Sequence, residues 1–361
     1  MMLYLIYPYR NRDVIRVKRS LESLKKQTNQ NFRVLFVDYG SKPEIASSIK
    51  TIVESYAFSN YNYIHSQYQP WNKSRALNSI IRTLNVGYCF VADVDMIFRS
   101  DFIETAIPLQ KPNSAVYFKV GFLSDKETQL DKNFNDYELK FESTAGATGL
   151  TMCPTNILKK VRGFDEFYHF WGSEDTDVHV RLKNAGYKVQ FYEDDILMLH
   201  QWHKTYRLKE TKELSRELQM SHIVRLNFQH LQIAIKEKKT IVNDISWGQI
   251  ITKQQEKQCL EALKHSRHIP SVKEAIDHFV FVELPHLKSG THAFKFIEDQ
   301  TNKTLKYKAK KVLKKRVDTY YSLKEVNDIV MLYIIGSYRN HPYIFKVSKD
   351  TSNIEFSIII A

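Results

Sequence analysis

Residues 3–38, LYLIYPYRNRDVIRVKRSLESLKKQTNQNFRVLFVD, decide the fold class of this chain. The stretch opens with an apolar run at residues 3–6 and closes with a second apolar run at residues 34–37. Between the runs, apolar side chains recur at the spacing of one helical face: Val14, Val17, Leu21 and Leu24. This pattern predicts a strand, a helix and a second strand in succession.

The same alternation continues outward from this βαβ unit. The pattern predicts a helix over 43–56, a strand near 61–65, a helix over 72–84 and a strand over 88–92. Strands that alternate with helices form a mostly parallel sheet with helices on its faces. Ligands bind such sheets beyond the carboxyl ends of the strands, so the residues that follow each apolar run are the first candidates for a site.

The second half of the chain has a different character. Short strands and polar loops are predicted over 113–153, and an acidic and aromatic segment over 163–186 leads into a helix with Val178, Leu182 and Ala185 on its buried face. Residues 204–239 contain neither Gly nor Pro and predict one long helix, and strands are predicted at 343–347 and 356–360. We therefore divide the chain into a catalytic α/β domain over 1–205 and a helical, then α+β, region over 206–361.

Composition restricts the cell compartment and the partners. The three cysteines among 361 residues have no paired spacing, which argues against a disulfide framework and favours a reducing cytoplasm. No run approaches 18 apolar residues, and the N-terminal apolar run is too short for a signal peptide. The net charge of +13 suits nucleic acid, anionic lipid or phosphate-bearing substrates alike.

Two short motifs predict a metal site. Asp93 and Asp95 follow the strand at 88–92, and alternate carboxylates at a strand end can share Mn²⁺ or Mg²⁺. His200 and His203 follow another apolar run and offer imidazole ligands to the same ion. Taken separately, the carboxylates can equally cap a strand and the histidines can lie on the surface.

Residues 170–177, FWGSEDTD, place carboxylates at the start of a helix. Gly172 and Ser173 are typical of a turn and an N-cap, which leaves Glu174 and Asp175 in the first helical turn. Acidic residues there commonly complement the helix dipole. The neighbouring Trp171 favours a further role, because an aromatic ring beside carboxylates suits a sugar, and one carboxylate can then act as general base.

Residues 8–12, PYRNR, follow the first apolar run. Arg10 and Arg12 offer guanidinium groups that can hold phosphate or a pyrimidine edge, and Pro8 fixes the backbone beside them. Asp38 follows the second strand of the sheet and can accept a hydrogen bond from a base or ribose. Solvated arginines are the alternative interpretation.

In this order, the motifs between Tyr4 and His203 resemble the inverting glycosyltransferases of the GT-A fold. The closest likeness is to the beta-1,4-galactosyltransferases and to the bacterial chondroitin-polymerase-like enzymes of family 2. The resemblance implies a Rossmann-like domain that takes a hexose or N-acetylhexosamine from a UDP-sugar, with Mn²⁺ or Mg²⁺. It also implies a glycan or lipid-linked acceptor, in the synthesis of a bacterial surface polysaccharide.

The resemblance also implies a role for each matching residue. The nucleotide is bound by the Pro-x-Arg-Asn-Arg segment and by Asp38, and basic residues of the helix that begins near residue 72 lie near the donor. The acceptor motif matches at residues 171–175, with Ser173 in place of a glycine, so Asp175 is the base. The implied substrate-binding residues are Pro8, Arg10, Arg12, Asp38, Lys73, Arg75, Asp93, Trp171, Gly172 and Glu174. The implied metal ligands are Asp95 and a residue of the segment from His200 to His203, and the resemblance leaves open whether that residue is His200 or His203.

Three alternatives remain at this point. Retaining glycosyltransferases share similar motifs, and a non-catalytic nucleotide-binding or glycan-binding protein would keep Trp171 and the arginines without needing Asp175. The basic run over 306–316 would also suit nucleic acid, although a solvated helix face is the more ordinary interpretation. We expect this run to contact an anionic membrane at the inner face of the cell membrane, where lipid-linked acceptors reside.

Overall fold

The computed structural model describes residues 1–204 and 213–360, without the side chain of Asn302. The described chain forms two compact units. The first comprises residues 1–67, 72–204 and 224–250, and the second comprises residues 68–71, 213–223 and 251–360. Residues 224–250 thus pack with the first unit, although they follow residue 205 in sequence. The predicted division into a catalytic domain over 1–205 and a separate region over 206–361 stays a prediction.

Seven strands form the main sheet of the first unit, in the order β10-β6-β9-β4-β1-β2-β3. The strands β3, β2, β1 and β4 are mutually parallel, while β9 runs antiparallel between β4 and β6. The bounds are β1 Leu3–Tyr9, β2 Phe32–Asp38, β3 Ser59–Tyr63, β4 Tyr88–Val91, β6 Ser114–Phe118, β9 Thr151–Pro154 and β10 Lys188–Tyr192.

A four-stranded second sheet lies in the same unit, in the order β5-β11-β7-β8. Its strands are β5 Met96–Phe98, β7 Gly121–Leu123, β8 Leu139–Glu142 and β11 Met198–His200. The helices of the unit are α1 Val14–Lys25, α2 Pro43–Glu54, α3 Lys73–Ile81, α4 Phe102–Ala106, α5 Asp125–Thr128, α6 Thr155–Lys160, α7 Glu174–Asn184 and α8 Ile223–Lys236.

The core of the first unit is built from the apolar runs that the sequence shows. Leu3, Leu5, Val34 and Phe36 are fully buried on one face of the parallel strands, and Ile6 and Val37 are fully buried on the other face. The side chains of α1 that recur at helical spacing, Val17, Leu21 and Leu24, belong to the same core cluster. Apolar periodicity therefore predicted this part of the fold correctly, because the burial of one helical face and of both sheet faces is what it reports.

The second unit contains a four-stranded sheet of order β12-β13-β15-β14. Its strands are β12 Arg267–Pro270, β13 Gly290–Ile297, β14 Tyr343–Val347 and β15 Asn353–Ile360, and its helices are α9 Lys253–Ala262, α10 Lys273–His278, α11 Leu305–Val312 and α12 Leu323–Tyr333. The predicted α/β fold with a C-terminal α+β extension is confirmed. Within the described residues, no helix has the length and apolar character needed to cross a membrane.

Two local predictions were wrong. Residues 213–222 form turns and irregular backbone, and His222 has a φ of 61°, so the described helix begins only at Ile223 instead of running over 204–239. The absence of Gly and Pro removes helix breakers, but it supplies no apolar face for packing. Residues 205–212 of that prediction lie outside the described residues. Ala185 is exposed where α7 ends, whereas Val178 and Leu182 are buried as expected.

Candidate active site

The ammonium group of Lys73 gathers carboxylates from two distant parts of the sequence. Its Nζ lies 3.0 Å from Oδ2 of Asp175, 3.6 Å from Oε1 of Glu174 and 3.5 Å from Oδ1 of Asp93. Asp93 follows β4, while Glu174 and Asp175 begin α7. The structure therefore brings the predicted donor-side aspartate and the predicted acceptor-side carboxylates to one point.

A polar face of α3 fixes Lys73 in this place. Asn72 caps the helix by accepting a hydrogen bond from the backbone N–H of Arg75, and its amide donates to the carbonyl of Glu166. Asn78 donates to the carbonyl of Phe164 and accepts from the N–H of the same residue. With the side chain of Arg75, which contacts Glu166, these two side chains are spaced three residues apart on one face of α3 and tie it to the segment that leads into α7.

Arg75 is part of this support and is not in the carboxylate cluster. Its side chain is buried, and its Nε donates to Oε2 of Glu166 at 2.9 Å. A guanidinium held in a buried ion pair is costly to withdraw. The contact favours a role in positioning α3, and the donor contact that the resemblance implied stays a prediction.

The backbone before α7 is held in an unusual conformation. Phe170, Gly172 and Ser173 have φ values of 63°, 102° and 75°, in the left-handed region. Ser173 is the N-cap residue as predicted, but its side chain makes no capping hydrogen bond. Backbone of this kind concentrates at functional sites, and here it turns the chain immediately before Glu174 and Asp175.

A shallow pocket opens beside these residues. It is lined by Lys73, Tyr168, His169, Phe170, Trp171 and Glu174. The ring of Trp171 is 43% exposed, which leaves it available to stack on an apolar ring face. The predicted aromatic platform and the carboxylates thus share one surface.

Burial and neighbouring charges set the protonation of the cluster. Burial raises the pKa of Asp175 to about 7; Lys73 opposes this, while Glu174 and Asp93 add to it. Burial works against the charge on Lys73, but the carboxylates of Asp175, Asp93 and Glu174 outweigh it and hold the pKa of the ammonium well above its usual value. Asp175 is therefore poised to exchange a proton near neutral pH, as a general base must.

A second cluster joins Asp95 with His200 and His203. The strand β11 pairs antiparallel with β5, which begins immediately after Asp95, so His200 lies opposite Met96. Nε2 of His203 lies 3.2 Å from Oδ2 of Asp95, and Nε2 of His200 lies 3.7 Å from Oδ1. One ligand atom from each residue falls within 4.8 Å of the other two.

This cluster fits a divalent cation. Oδ1 of Asp95 is buried and accepts no hydrogen bond from the described residues. Buried polar atoms normally have a partner, and a bound cation would provide one for this oxygen. Burial works against the charge on Asp95, but His200 and His203 outweigh it and hold its pKa well below the usual range, and Arg12 adds to this effect. One carboxylate and two imidazoles suit a transition-metal ion such as Mn²⁺.

Gln201 fixes the geometry of the metal cluster, and the sequence analysis did not single it out. Its side chain is fully buried, and its Nε2 donates to the carbonyls of Asp95 and Arg16. Its backbone N–H also donates to the carbonyl of Asp95. The residue between two candidate ligands therefore anchors the loop to the strand end that carries the third.

The predicted nucleotide-binding residues lie at the ends of β1 and β2. Pro8 is buried inside β1, which runs to Tyr9, and Nη2 of Arg10 donates to the carbonyl of Gln67 at 2.6 Å. Arg12 is exposed. Asp38 is fully buried: its Oδ1 accepts from the N–H of Ser41, its Oδ2 accepts from the hydroxyl of Tyr61, and burial raises its pKa. Their roles toward a nucleotide stay predictions.

Two further features of the site escaped the sequence analysis. A side chain at Gly149 would place its Cβ 3.6 Å from Oδ2 of Asp175, so the loop over 144–149 borders the candidate base. The only sequence signal was two glycines in that short loop, TAGATG, in a chain with eleven. Asp177, beside the cluster in sequence, is fully buried in an ion pair with Arg181 and supports α7 from inside.

Parts of this chain are similar to known protein families and to a solved structure. A family model described as "Glycosyl transferase family 2" matches residues 4–160, and one described as "N-terminal domain of galactosyltransferase" matches residues 128–206. Among solved structures, the crystal structure of S. aureus TarS is similar at 13% identity with a TM-score of 0.43, over 79% of this chain and 45% of that chain. The match thus spans less than half of the TarS chain.

The two family matches overlap and together cover both clusters. The first contains β1, Lys73 and the carboxylates after β4, and the second contains the segment from Trp171 to His203. The order of elements, the parallel strands and the carboxylates at their ends agree with these matches. Residues 4–206 of this chain are thus similar in sequence to two glycosyltransferase family models, and their α/β architecture agrees with that similarity.

Proposed function

We propose that the chain is a metal-dependent inverting glycosyltransferase. In this proposal, it transfers a hexose or N-acetylhexosamine from a UDP-sugar to a glycan or lipid-linked glycan, in the synthesis of a bacterial surface polysaccharide. The observation that carries the proposal is the contact of Lys73 with both Asp93 and Asp175. A donor held at the Asp93 side and an acceptor held at Trp171 would meet beside one carboxylate.

The reaction follows from the position of Asp175. Its carboxylate takes the proton of the acceptor hydroxyl, the acceptor oxygen attacks the anomeric carbon, and the bond from that carbon to the diphosphate oxygen breaks. A single displacement inverts the anomeric configuration and releases UDP. The pocket residue Trp171 orients the acceptor, which lowers the entropic barrier to reaction.

The chain supplies further groups to this step. Lys73 provides a positive charge beside the departing diphosphate, and Arg10 and Arg12 are placed at the strand end where the nucleotide is expected. Mn²⁺ or Mg²⁺ held by Asp95, His200 and His203 would neutralise charge on the leaving group.

The first experiment is a donor screen by UDP release with Mn²⁺. UDP-galactose, UDP-glucose and their N-acetyl forms are compared for the wild type, Asp175→Asn and Glu44→Gln, with water as the acceptor. Glu44 is an exposed carboxylate of α2 outside the site, so its variant controls for the loss of one negative charge. We expect Asp175→Asn to abolish release, while UDP binding measured by calorimetry persists.

The outcomes separate an enzyme from a binding protein. Metal-dependent release that Asp175→Asn abolishes supports catalysis and identifies the donor. Binding of UDP without release from any donor would favour a non-catalytic nucleotide-binding protein. For an active donor, the anomeric configuration of the product, read by nuclear magnetic resonance, distinguishes inversion from retention.

We also propose that the chain acts in the cytoplasm, at the inner face of the cell membrane. The helix α11 has no buried residue, and Leu305, Val312 and Leu313 are 84%, 81% and 65% exposed. Seven basic residues and no acidic residue accompany them over 306–316. Exposed aliphatic side chains flanked by lysines suit the interface of an anionic bilayer, at about 1 kcal/mol per basic residue.

Sedimentation with vesicles tests this membrane contact. We expect binding to vesicles of phosphatidylglycerol and phosphatidylcholine, and none to phosphatidylcholine alone. The double variant Lys310→Glu/Lys311→Glu should weaken binding, whereas Lys18→Glu on the exposed face of α1 should not. Unchanged sedimentation of the double variant would remove the proposal, and retention of RNA in place of vesicles would favour a nucleic-acid contact.

A further inference from the structure

The helix α8 lies beyond both family matches, which end at residues 160 and 206, yet it packs with the first unit. Its side chains contact the segment that carries Trp171 and leads into Asp175. The contacts occur at both ends of that segment, and all of them lie within the first unit. The helix is therefore placed to control the shape of the candidate acceptor surface.

Asn227 makes the central contact. Its side chain is fully buried, and its Nδ2 donates to the backbone carbonyls of His169 and Trp171, both at 3.0 Å. These two carbonyls flank Phe170, whose φ is 63°. One amide group thus bridges a left-handed turn, and the bridge fixes the direction in which the chain presents the next side chain, Trp171.

His230 also holds this segment, and Val224 lies beside its other end. Nε2 of His230 lies 2.8 Å from Oδ2 of Asp165, and the ring of His230 stacks on Phe167 with centroids 3.9 Å apart. At the other end, a side chain at Gly172 would place its Cβ 3.9 Å from Cγ1 of Val224. The residues of α8 that make these contacts recur at helical spacing on one face.

We propose that Asn227 is a positioning residue for the acceptor. By holding the turn at Phe170, it orients the ring of Trp171 for stacking on the acceptor sugar, and this inference rests on the proposed function. The donor side of the site, at Asp93 and the end of β1, has no contact with Asn227 among the hydrogen bonds of the described residues. Loss of the bridge should therefore affect the acceptor more than the donor.

The variants are Asn227→Ala and Asn227→Asp, with Gln229→Ala as the control. Asp has the shape of Asn but turns an oxygen toward the two carbonyls, so it replaces two hydrogen bonds with repulsion. Gln229 is exposed on the same helix. With the donor found in the screen, and with a glycan acceptor chosen because it raises UDP release above the rate with water, we expect the acceptor KM to rise by about 10-fold or more. The donor KM and the donor hydrolysis rate should change by less than about 3-fold.

A measurement that needs no activity keeps this inference separate from the proposed function. Acrylamide quenching is compared between each variant and the same variant with Trp171→Phe, so that the difference reports Trp171 alone. We expect Asn227→Ala and Asn227→Asp to change the accessibility of Trp171, and Gln229→Ala to leave it unchanged.

Three results are decisive. A changed Trp171 signal with a selective rise in acceptor KM supports the proposal. An unchanged Trp171 signal overturns it, whether or not the chain is active. Equal losses for donor and acceptor, or a loss of the folded state seen by circular dichroism in both variants, would reduce Asn227 to a structural residue and also overturn it.

Discussion

Replacement of Lys73 by Met removes the cation that contacts all three carboxylates of the cluster, Asp93, Glu174 and Asp175. Lys73 lies 3.0 Å from Asp175, and their side chains are 14% and 19% exposed. Without the ammonium group, an ionised Asp175 faces Glu174 and Asp93 with no compensating charge at that point. We therefore expect the proton on Asp175 to be held more tightly and the base to be available only at higher pH.

The size of the shift follows from the distance. Two unit charges 3.0 Å apart interact by about 5 kcal/mol at an effective dielectric of 20 and by about 1.4 kcal/mol in bulk water. The partial exposure of both side chains places the value between these limits, at about 2 kcal/mol. That energy corresponds to a rise of about 1.5 units in the pKa of Asp175.

The assay is the pH dependence of kcat/KM for UDP release. A general base must be ionised, so the activity of the wild type should fall as the pH drops below the Asp175 pKa of about 7. In Lys73→Met, this acidic limb should move to about pH 8.5. Lys73→Arg keeps the positive charge and should leave the limb close to that of the wild type.

One result would refute this reasoning. If Lys73→Met lowers activity equally at every pH and leaves the acidic limb in place, Lys73 does not set the protonation of the base. The residue would then act on the donor alone, through Asp93. An acidic limb that persists in Asp175→Asn with residual activity would assign the titration to another group.

Three further predictions concern stability, backbone strain and metal binding. Arg181→Leu should lower the free energy of unfolding by about 3 kcal/mol in urea, because it leaves Asp177 as an uncompensated buried charge; a loss below 1 kcal/mol would contradict this. Ser173→Gly should keep activity and change the free energy of unfolding by less than about 1 kcal/mol. Ser173→Val should destabilise the protein, because the φ of 75° at this position penalises a β-branched side chain. Equal melting temperatures of the two variants would count against backbone strain at this position. Asp95→Asn and His203→Gln should each weaken Mn²⁺ binding by at least about 10-fold in calorimetry, whereas His268→Gln in the second unit should not; equal binding by all three variants would place the metal elsewhere.

The parts of the fold predicted from sequence are those where local pattern and burial agree. β1, α1 and β2 each carry an apolar pattern of the right period, and β14 occupies the predicted residues 343–347. The helix predicted over 204–239 failed because it rested on the absence of breakers alone. Periodic burial is a physical cause of structure, and the absence of Gly and Pro is not.

For the candidate site, the sequence predicted which residues take part better than it predicted which of them are in contact. The sequence predicted which residues follow the strands, because the carboxyl ends of parallel strands share one edge. It did not predict that Lys73 would bridge to Asp175, 102 positions later, since that contact depends on the register between α3 and the segment before α7. The sequence also did not predict the contact of Arg75 with Glu166, for the same reason, and the predicted role of Arg75 near the donor stays a prediction.

The acceptor surface depends on more of the chain than its motif. Trp171, Glu174 and Asp175 lie within five consecutive residues. The turn that precedes them is held by Asn227, which lies more than fifty residues further along the chain. A motif can therefore be complete in sequence while its geometry is set by a helix that the family matches do not reach. Replacement of this helix in a relative would change how Trp171 is presented without altering any motif residue. Under the proposed function, acceptor preference can therefore diverge while the candidate base Asp175 stays in place.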